Sequence, residues 1–119
     1  ELEEGKYPVI KKVKLLIVIL DRGKGEEAAA VLRESGVTYN MIAHAFFSSG
    51  SDIIGFLGLS NKEKDMVLSV VTEDKVPNVM QKLLYKLDLD EPGNGIAFTI
   101  PIVGVSGPRV LRYISGIFE

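Results

Sequence analysis

Two short runs are apolar on both sides of a strand, and they restrict the possible folds more than any other feature. Residues 14–20 read Lys-Leu-Leu-Ile-Val-Ile-Leu, and residues 65–71 read Asp-Met-Val-Leu-Ser-Val-Val. Successive side chains of a strand point to opposite faces of its sheet, so a nearly continuous apolar run is typical of a strand buried on both faces. The sequence therefore predicts two central strands in a sheet that is covered on both sides.

Two helices and two further strands are predicted around these runs. Apolar residues recur at helical spacing over 25–35 and again over 73–87, which predicts two amphipathic helices. Pro77 fits the first turn of the second helix, where its missing N–H has no intrahelical partner. The alternation of residues 39–47 and the apolar run of residues 96–105 predict the remaining strands.

The order β-α-β-β-α-β predicts an α+β fold, a ferredoxin-like sandwich in which an antiparallel four-stranded sheet has two helices on one face. The first and third strands are central in this arrangement, in agreement with their apolar sequences. Pro101 cannot donate to a strand ladder, which favours an edge position for the fourth strand. Two helices cover only one face, so we expect the sheet of another copy to cover the other face in a homo-oligomer.

Length, charge and composition exclude several classes of protein. The 119 residues fit one domain over 13–119, after an acidic lead-in over 1–12 that does not resemble a secretory signal. A net charge of −2 gives no basic field for nucleic acid, and the apolar run 15–20 is far shorter than the about 20 residues that span a membrane. No cysteine is present, which excludes disulfides and thiolate chemistry and fits a reducing compartment. We expect a cytoplasmic protein without membrane insertion.

A glycine-rich turn over residues 90–98 is the clearest candidate for a binding site. Gly93 and Gly95 flank Asn94, and glycine takes positive φ angles without steric cost. Such a turn can direct consecutive N–H groups at one anion. An isolated Gly-x-Gly is also common punctuation before a strand, and the residues alone favour that plainer interpretation.

Two turns resemble those of the nitrogen-regulatory PII signalling family. Residues 92–98 resemble its B-loop and the start of its last strand, and residues 20–25, Leu-Asp-Arg-Gly-Lys-Gly, resemble the matching turn of PII-like variants. The similarity extends over about residues 13–109. It implies a compact homotrimer that senses a small molecule between subunits and regulates a protein partner, an enzyme or a transporter. It implies a regulator rather than an enzyme, with no catalytic residue and no metal site.

The resemblance also implies an anionic ligand, of which an adenine nucleotide such as ATP, ADP or AMP is the family's example. The ligand-binding residues that it implies here are Arg22, Lys24, Gly93, Asn94, Gly95 and Arg109. On the residues alone, Arg22 and Lys24 fit ordinary solvated loop charges better, because long charged side chains are mostly exposed.

The sequence departs from the family pattern at several positions. Ile96 stands where the B-loop has a basic residue that contacts phosphate, and Gly107 stands where a second arginine follows the last strand. Phe46 or Phe47 replaces glycines that make room for adenine. The sequence leaves open whether Lys24 supplies the missing charge to a nucleotide or whether the site takes another ligand.

The family's signalling loop corresponds to residues 47–62, between the second and third strands. Here it is short and apolar, and the residues expected to anchor a partner are Phe47, Ile53, Ile54, Phe56 and Leu57. The same residues fit an extension of the third strand or a subunit interface equally well, because an apolar patch does not identify its partner.

Two other functions remain open on the sequence. One is a small enzyme that uses His44 with Asp52 in an interface pocket, since this fold hosts many activities. A hydrogen-bonded structural histidine is favoured over that role, because a general base needs a partner that the sequence does not show. The other is a trimeric module that binds a cation or an amino acid.

Overall fold

The structure, a computed structural model, describes residues 12–46, 63–104, 106–107 and 109–110. Its elements in chain order are β1 (Val13–Asp21), α1 (Gly25–Glu34), β2 (Asn40–Phe46), β3 (Glu63–Thr72), α2 (Val76–Lys86) and β4 (Ile96–Pro101). A 3₁₀ turn, Glu73–Lys75, leads into α2, and Pro77 lies in the first turn of that helix as predicted.

The four strands form one antiparallel sheet in the order β2-β3-β1-β4. The two most apolar strands are central, so the predicted α+β ferredoxin-like sandwich is confirmed. β4 lies at an edge, as its proline requires. It is shorter than predicted, because regular pairing ends at Pro101, opposite Lys14, and residues 102–104 belong to no strand.

The core lies between the sheet and the two helices. Alternate residues of the central strands face the helices, and each helix contributes the apolar stripe that its spacing predicts. The buried core residues are Leu16, Val18, Leu20, Ala28, Val31, Leu32, Val37, Val67, Val71, Val79, Leu83 and Leu87. Each fully buried Leu or Val stabilises the fold by roughly 1.5–3 kcal/mol relative to an exposed side chain.

The opposite face of the sheet is apolar, and no described element covers it. The strand registers align Leu15 with Val70 and Ile100, Ile17 with Leu68 and Phe98, and Ile19 with Met66 and Ile96. Of the residues on this face, Met41 is 63%, Ile100 44%, Ile96 42% and Phe98 37% exposed. We call this surface the open sheet face. It is the surface for which the sequence predicts a cover from another copy of the chain.

The connection from α2 to β4 passes very close to β1, and Gly95 makes this approach possible. Gly95 has a φ of +130°, and a Cβ at this position would lie 2.6 Å from the carbonyl oxygen of Ile19. It would also lie 2.8 Å from Cδ2 of Leu20. Both the backbone angle and the space therefore require glycine.

Gly95→Ala should lower the free energy of unfolding by about 2 kcal/mol or more, because a strained backbone angle is combined with a clash against main-chain atoms. Gly23→Ala is the matched control, since Gly23 also has a positive φ of +100° but has open space around its Cα. Urea denaturation at one fixed protein concentration measures both losses. Equal losses for the two variants would contradict the assigned clash.

Candidate functional site

A cleft of about 220 Å³ opens where the end of β1, the start of α1 and the α2–β4 connection meet. β1, the turn after it and α1 line it with Leu20, Asp21, Lys24 and Glu27. The end of α2 and the connection after it line it with Lys86, Leu87, Asp88, Gly93 and Asn94. The two glycine-containing turns meet because β4 runs antiparallel to β1, so that Ile96 pairs with Ile19. Three of the residues predicted to bind a ligand, Lys24, Gly93 and Asn94, therefore line one cleft.

Asn94 organises the turn in which it lies. Its side-chain amide donates a hydrogen bond to the carbonyl oxygen of Asp88 at 2.9 Å, and its backbone N–H donates to the carbonyl oxygen of Glu91 at 3.2 Å. Asp88 has a positive φ of 52°, a conformation that Asp and Asn tolerate better than most residues. The backbone N–H of Asn94 and one N–H of its side-chain amide are thus engaged inside the turn.

A buried carboxylate on β3, Asp65, holds the turn between β1 and α1. Its Oδ2 accepts hydrogen bonds from the backbone N–H groups of Gly23 and Gly25, both at 2.9 Å. A Cβ at Gly25 would lie 2.9 Å from that same oxygen and 2.9 Å from Cγ2 of Ile42. The chain's own carboxylate therefore takes up two N–H groups of this turn that could otherwise bind an anion.

The second oxygen of Asp65 binds two side chains. Oδ1 lies 2.9 Å from Nδ1 of His44 and 3.6 Å from Nε of Arg22. An ionised carboxylate only accepts hydrogen bonds, so Nδ1 of His44 carries the proton. Arg22 also lies 3.7 Å from the carboxylate of Glu63, and it does not line the cleft.

The pKa of Asp65 lies below its ordinary value of 3.8. Burial by itself raises the pKa of this carboxyl, but the hydrogen bonds from Gly25, His44 and Gly23 stabilise the ionised form more strongly. The charge of a protonated His44 acts in the same direction. Asp65 is therefore ionised at neutral pH, although its side chain is only 5% exposed.

Solved structures with this fold were found, whereas no protein-family model and no curated protein matches the sequence. CPII from Thiomonas intermedia K12, a nitrogen-regulatory PII-like protein bound to ADP, AMP and bicarbonate, has a TM-score of 0.59 at 23% identity over 80% of this chain and 96% of that chain. Arabidopsis thaliana PII bound to citrate has a TM-score of 0.57 at 18% identity, over 81% of this chain and 80% of that chain. The B. subtilis GlnK–ATP complex has a TM-score of 0.56 at 17% identity, over 80% of this chain and 85% of that chain.

This chain has the PII fold. The resemblance carried by the two turns is thereby confirmed at the level of the fold. In this PII fold, the turn that resembles the B-loop and the turn after β1 form the cleft together.

The PII fold separates the other residues predicted to bind a ligand. Arg22 is tied to β3, Gly95 packs on β1, and Arg109 is exposed and does not line the cleft. The five residues expected to anchor a partner lie within 47–62, outside the described residues, and so does Asp52. His44 is hydrogen-bonded as predicted, but 65% of its side chain is exposed.

Sequence reasoning missed two acidic residues of this region, Asp65 and Glu27. One signal was present for Asp65, because a carboxylate in a strand predicted to be buried must find hydrogen-bond partners. Glu27 carries no such signal, since it occupies an ordinary polar position of a helix. Among the described residues, no group of three or more His, Asp or Glu could hold a metal ion. None of the described helices has the length and apolarity to cross a membrane.

Asp65→Asn should lower the free energy of unfolding at pH 7 by about 1–3 kcal/mol, because the Gly23 and Gly25 donors lose a charged acceptor. The pKa of Asp65 is lower in the folded chain, so its stabilisation is fully present above pH 3.8 and disappears as the pH falls through the folded value. Urea denaturation between pH 2 and pH 7 measures the free energy of unfolding of the native protein and of Asp65→Asn. The difference between these two free energies should narrow below pH 3.8.

The control for this prediction is Asp90→Asn, which removes an exposed carboxylate from the connection after α2. It should change stability little at any pH, since isolated surface charges contribute little. If the difference in free energy of unfolding between the native protein and Asp65→Asn stays constant down to pH 2, the role assigned to the ionised carboxylate is contradicted.

Proposed function

We propose that this protein is a PII-like signal-transduction regulator that binds a small anion, in the first instance an adenine nucleotide, and regulates a protein partner. The observation that carries the proposal is the cleft that joins Lys24 to the Gly93–Asn94 turn. The fold supports it, because solved proteins with this fold hold ADP, AMP and bicarbonate, citrate, or ATP. The proposal assigns the chain no catalytic step.

Lys24 is the residue best placed to bind an anion. It lines the cleft, it is exposed, and its side chain has no ion-pair or hydrogen-bond partner among the described residues. It occupies the N-cap position of α1, where the helix dipole adds a partial positive charge. An anion in the cleft would therefore meet a full charge and a favourable dipole from the same turn.

The open sheet face supports assembly as a homotrimer in which subunits complete each other's clefts. Large exposed apolar surfaces mark interaction sites, and this one continues across all four strands. Ile96 lies on this face and directly follows Gly95 of the turn beside the cleft. Association through the face would bring residues of a second copy close to the cleft.

The geometry offers a route from the cleft to the partner loop. Lys24 lies between Gly23 and Gly25, and both of their N–H groups bind Asp65 of β3. Asp65 also binds His44 of β2, so the two strands that flank residues 47–62 are tied to the turn. A ligand that favours one arrangement of this turn would shift the loop between states. The resemblance alone supports that loop as the surface that meets the partner.

Lys24→Ala should weaken binding of an adenine nucleotide about tenfold or more, because a hydrogen bond to a charged group contributes about 1.5–3 kcal/mol. Isothermal titration calorimetry with AMP, ADP and ATP on the native protein and the variant measures the change. Arg33→Ala is the control, since it removes a cation from the last turn of the same helix. The nucleotide proposal is rejected if the folded native protein binds none of the three.

Phe98→Lys should reduce self-association, because it places a charge on the apolar open sheet face. Tyr85→Lys is the matched control, since Tyr85 is 69% exposed on α2 and away from that face. Sedimentation velocity should give the native protein and the control a mass three times that of the 13.0 kDa chain. A native protein that sediments as a single chain at micromolar concentration would remove the subunit arrangement from the proposal.

A further inference from the structure

The cleft contains more negative than positive side chains. Three carboxylates, of Asp21, Glu27 and Asp88, line it together with two ammonium groups, of Lys24 and Lys86. The formal charge of the lining that one chain contributes is therefore −1, from three acids and two bases. A site for a highly charged anion would be expected to show the opposite balance.

Among the described residues, Lys24 is the cation of this lining that existing ion pairs leave for a ligand. The carboxylate of Asp21 binds the ammonium group of Lys64, which is fully buried. The ammonium group of Lys86 lies 3.8 Å from the carboxylate of Glu34. Lys24 then shares the cleft with Glu27 and Asp88, for which no ion pair is found among the described residues.

Several donors of the two turns that a chain of phosphate groups could use are engaged elsewhere. The N–H groups of Gly23 and Gly25 bind Asp65, and the N–H of Asn94 binds the carbonyl oxygen of Glu91. Arg22 lies within ion-pair distance of Asp65 and Glu63, outside the cleft.

Ile96 provides no charge either, because its side chain belongs to the open sheet face. It pairs with Ile19 in the register of β1 and β4, and it is 42% exposed there. The position that follows the glycine turn therefore contributes an apolar contact in place of a phosphate contact.

We propose that the cleft selects an anion with one phosphate group and rejects a nucleoside triphosphate, with Glu27 and Asp88 as the residues that determine this specificity. The inference rests on the proposed function and names the ligand class of the same cleft. One phosphate group can bind Lys24 at the start of α1. Each additional phosphate group adds negative charge to a cleft that two carboxylates already line, and like charges repel each other.

AMP and inorganic phosphate share this chemistry, so the experiment uses both. Calorimetric titrations of the full chain with AMP, ADP, ATP and inorganic phosphate, without divalent cations, should show AMP binding at least tenfold more tightly than ATP. The ratio should decrease with added salt, because salt screens the repulsion. Equal affinities for AMP and inorganic phosphate would support recognition of the phosphate group alone, and tighter binding of AMP would support recognition of the nucleoside as well.

Glu27→Gln and Asp88→Asn should each raise the affinity for ATP at least threefold while changing the affinity for AMP less. Asn is well tolerated at the positive φ of residue 88, so the second variant keeps the turn. Glu26→Gln is the matched control, because Glu26 is the exposed neighbour of Glu27 and does not line the cleft. It should leave the ratio of AMP to ATP affinity unchanged.

The outcomes separate this inference from the proposed function. Native protein that binds ATP as tightly as AMP would overturn the inference and leave the anion-binding regulator standing. If Glu26→Gln changes the ratio of AMP to ATP affinity as much as Glu27→Gln does, the inference is also overturned. The net charge of the protein, and not the cleft, would then set the preference. Folded protein that binds none of the four anions would overturn both proposals.

Discussion

The antiparallel pairing of β1 with a strand on each side is the constraint on which this structure depends. Because β3 and β4 both run against β1, the start of each lies beside the end of β1, where Leu20 pairs with Asp65 and Ile19 pairs with Ile96. The turn after β1, the glycine turn before β4 and a buried carboxylate therefore meet at one end of the sheet. Ordinary β pairing, rather than an added domain or loop, builds the cleft.

Asp65 joins the turn after β1 to β2 and β3 at this end of the sheet, and it does so with groups that could otherwise bind a ligand. A carboxylate that is taken out of water must be matched by donors, and Gly23, Gly25, His44 and Arg22 surround this one. Two N–H groups of the turn beside the cleft are engaged as a result, and fewer remain for an anion. Lys24, held between the two glycines, keeps its charge directed outwards into the cleft.

The surface at this end of the sheet has two parts of different chemistry, the apolar open sheet face and the charged cleft. Apolar residues of the strands, including Ile96 and Phe98, point to the side without helices, whereas the charged residues Lys24, Glu27 and Asp88 lie on the helix side and around the turns. This PII fold therefore has an apolar surface on one side of the sheet and a polar cleft on the other. Ile96 adds to the apolar surface and not to the cleft.

The sequence by itself determined the order of the elements, the central and edge strands, the apolar second face and, through the resemblance, the pairing of Lys24 with the Gly93 turn. The first three features follow from periodicity and from turn residues, which are local and can be read along the chain, whereas the last is implied by the resemblance. Only the tertiary structure decided that Asp65 occupies the N–H groups of Gly23 and Gly25, that Arg22 is turned away, and that Glu27 and Asp88 share the cleft. Those contacts join residues about forty or more positions apart in the chain. They depend on strand register and helix packing, which periodicity does not specify.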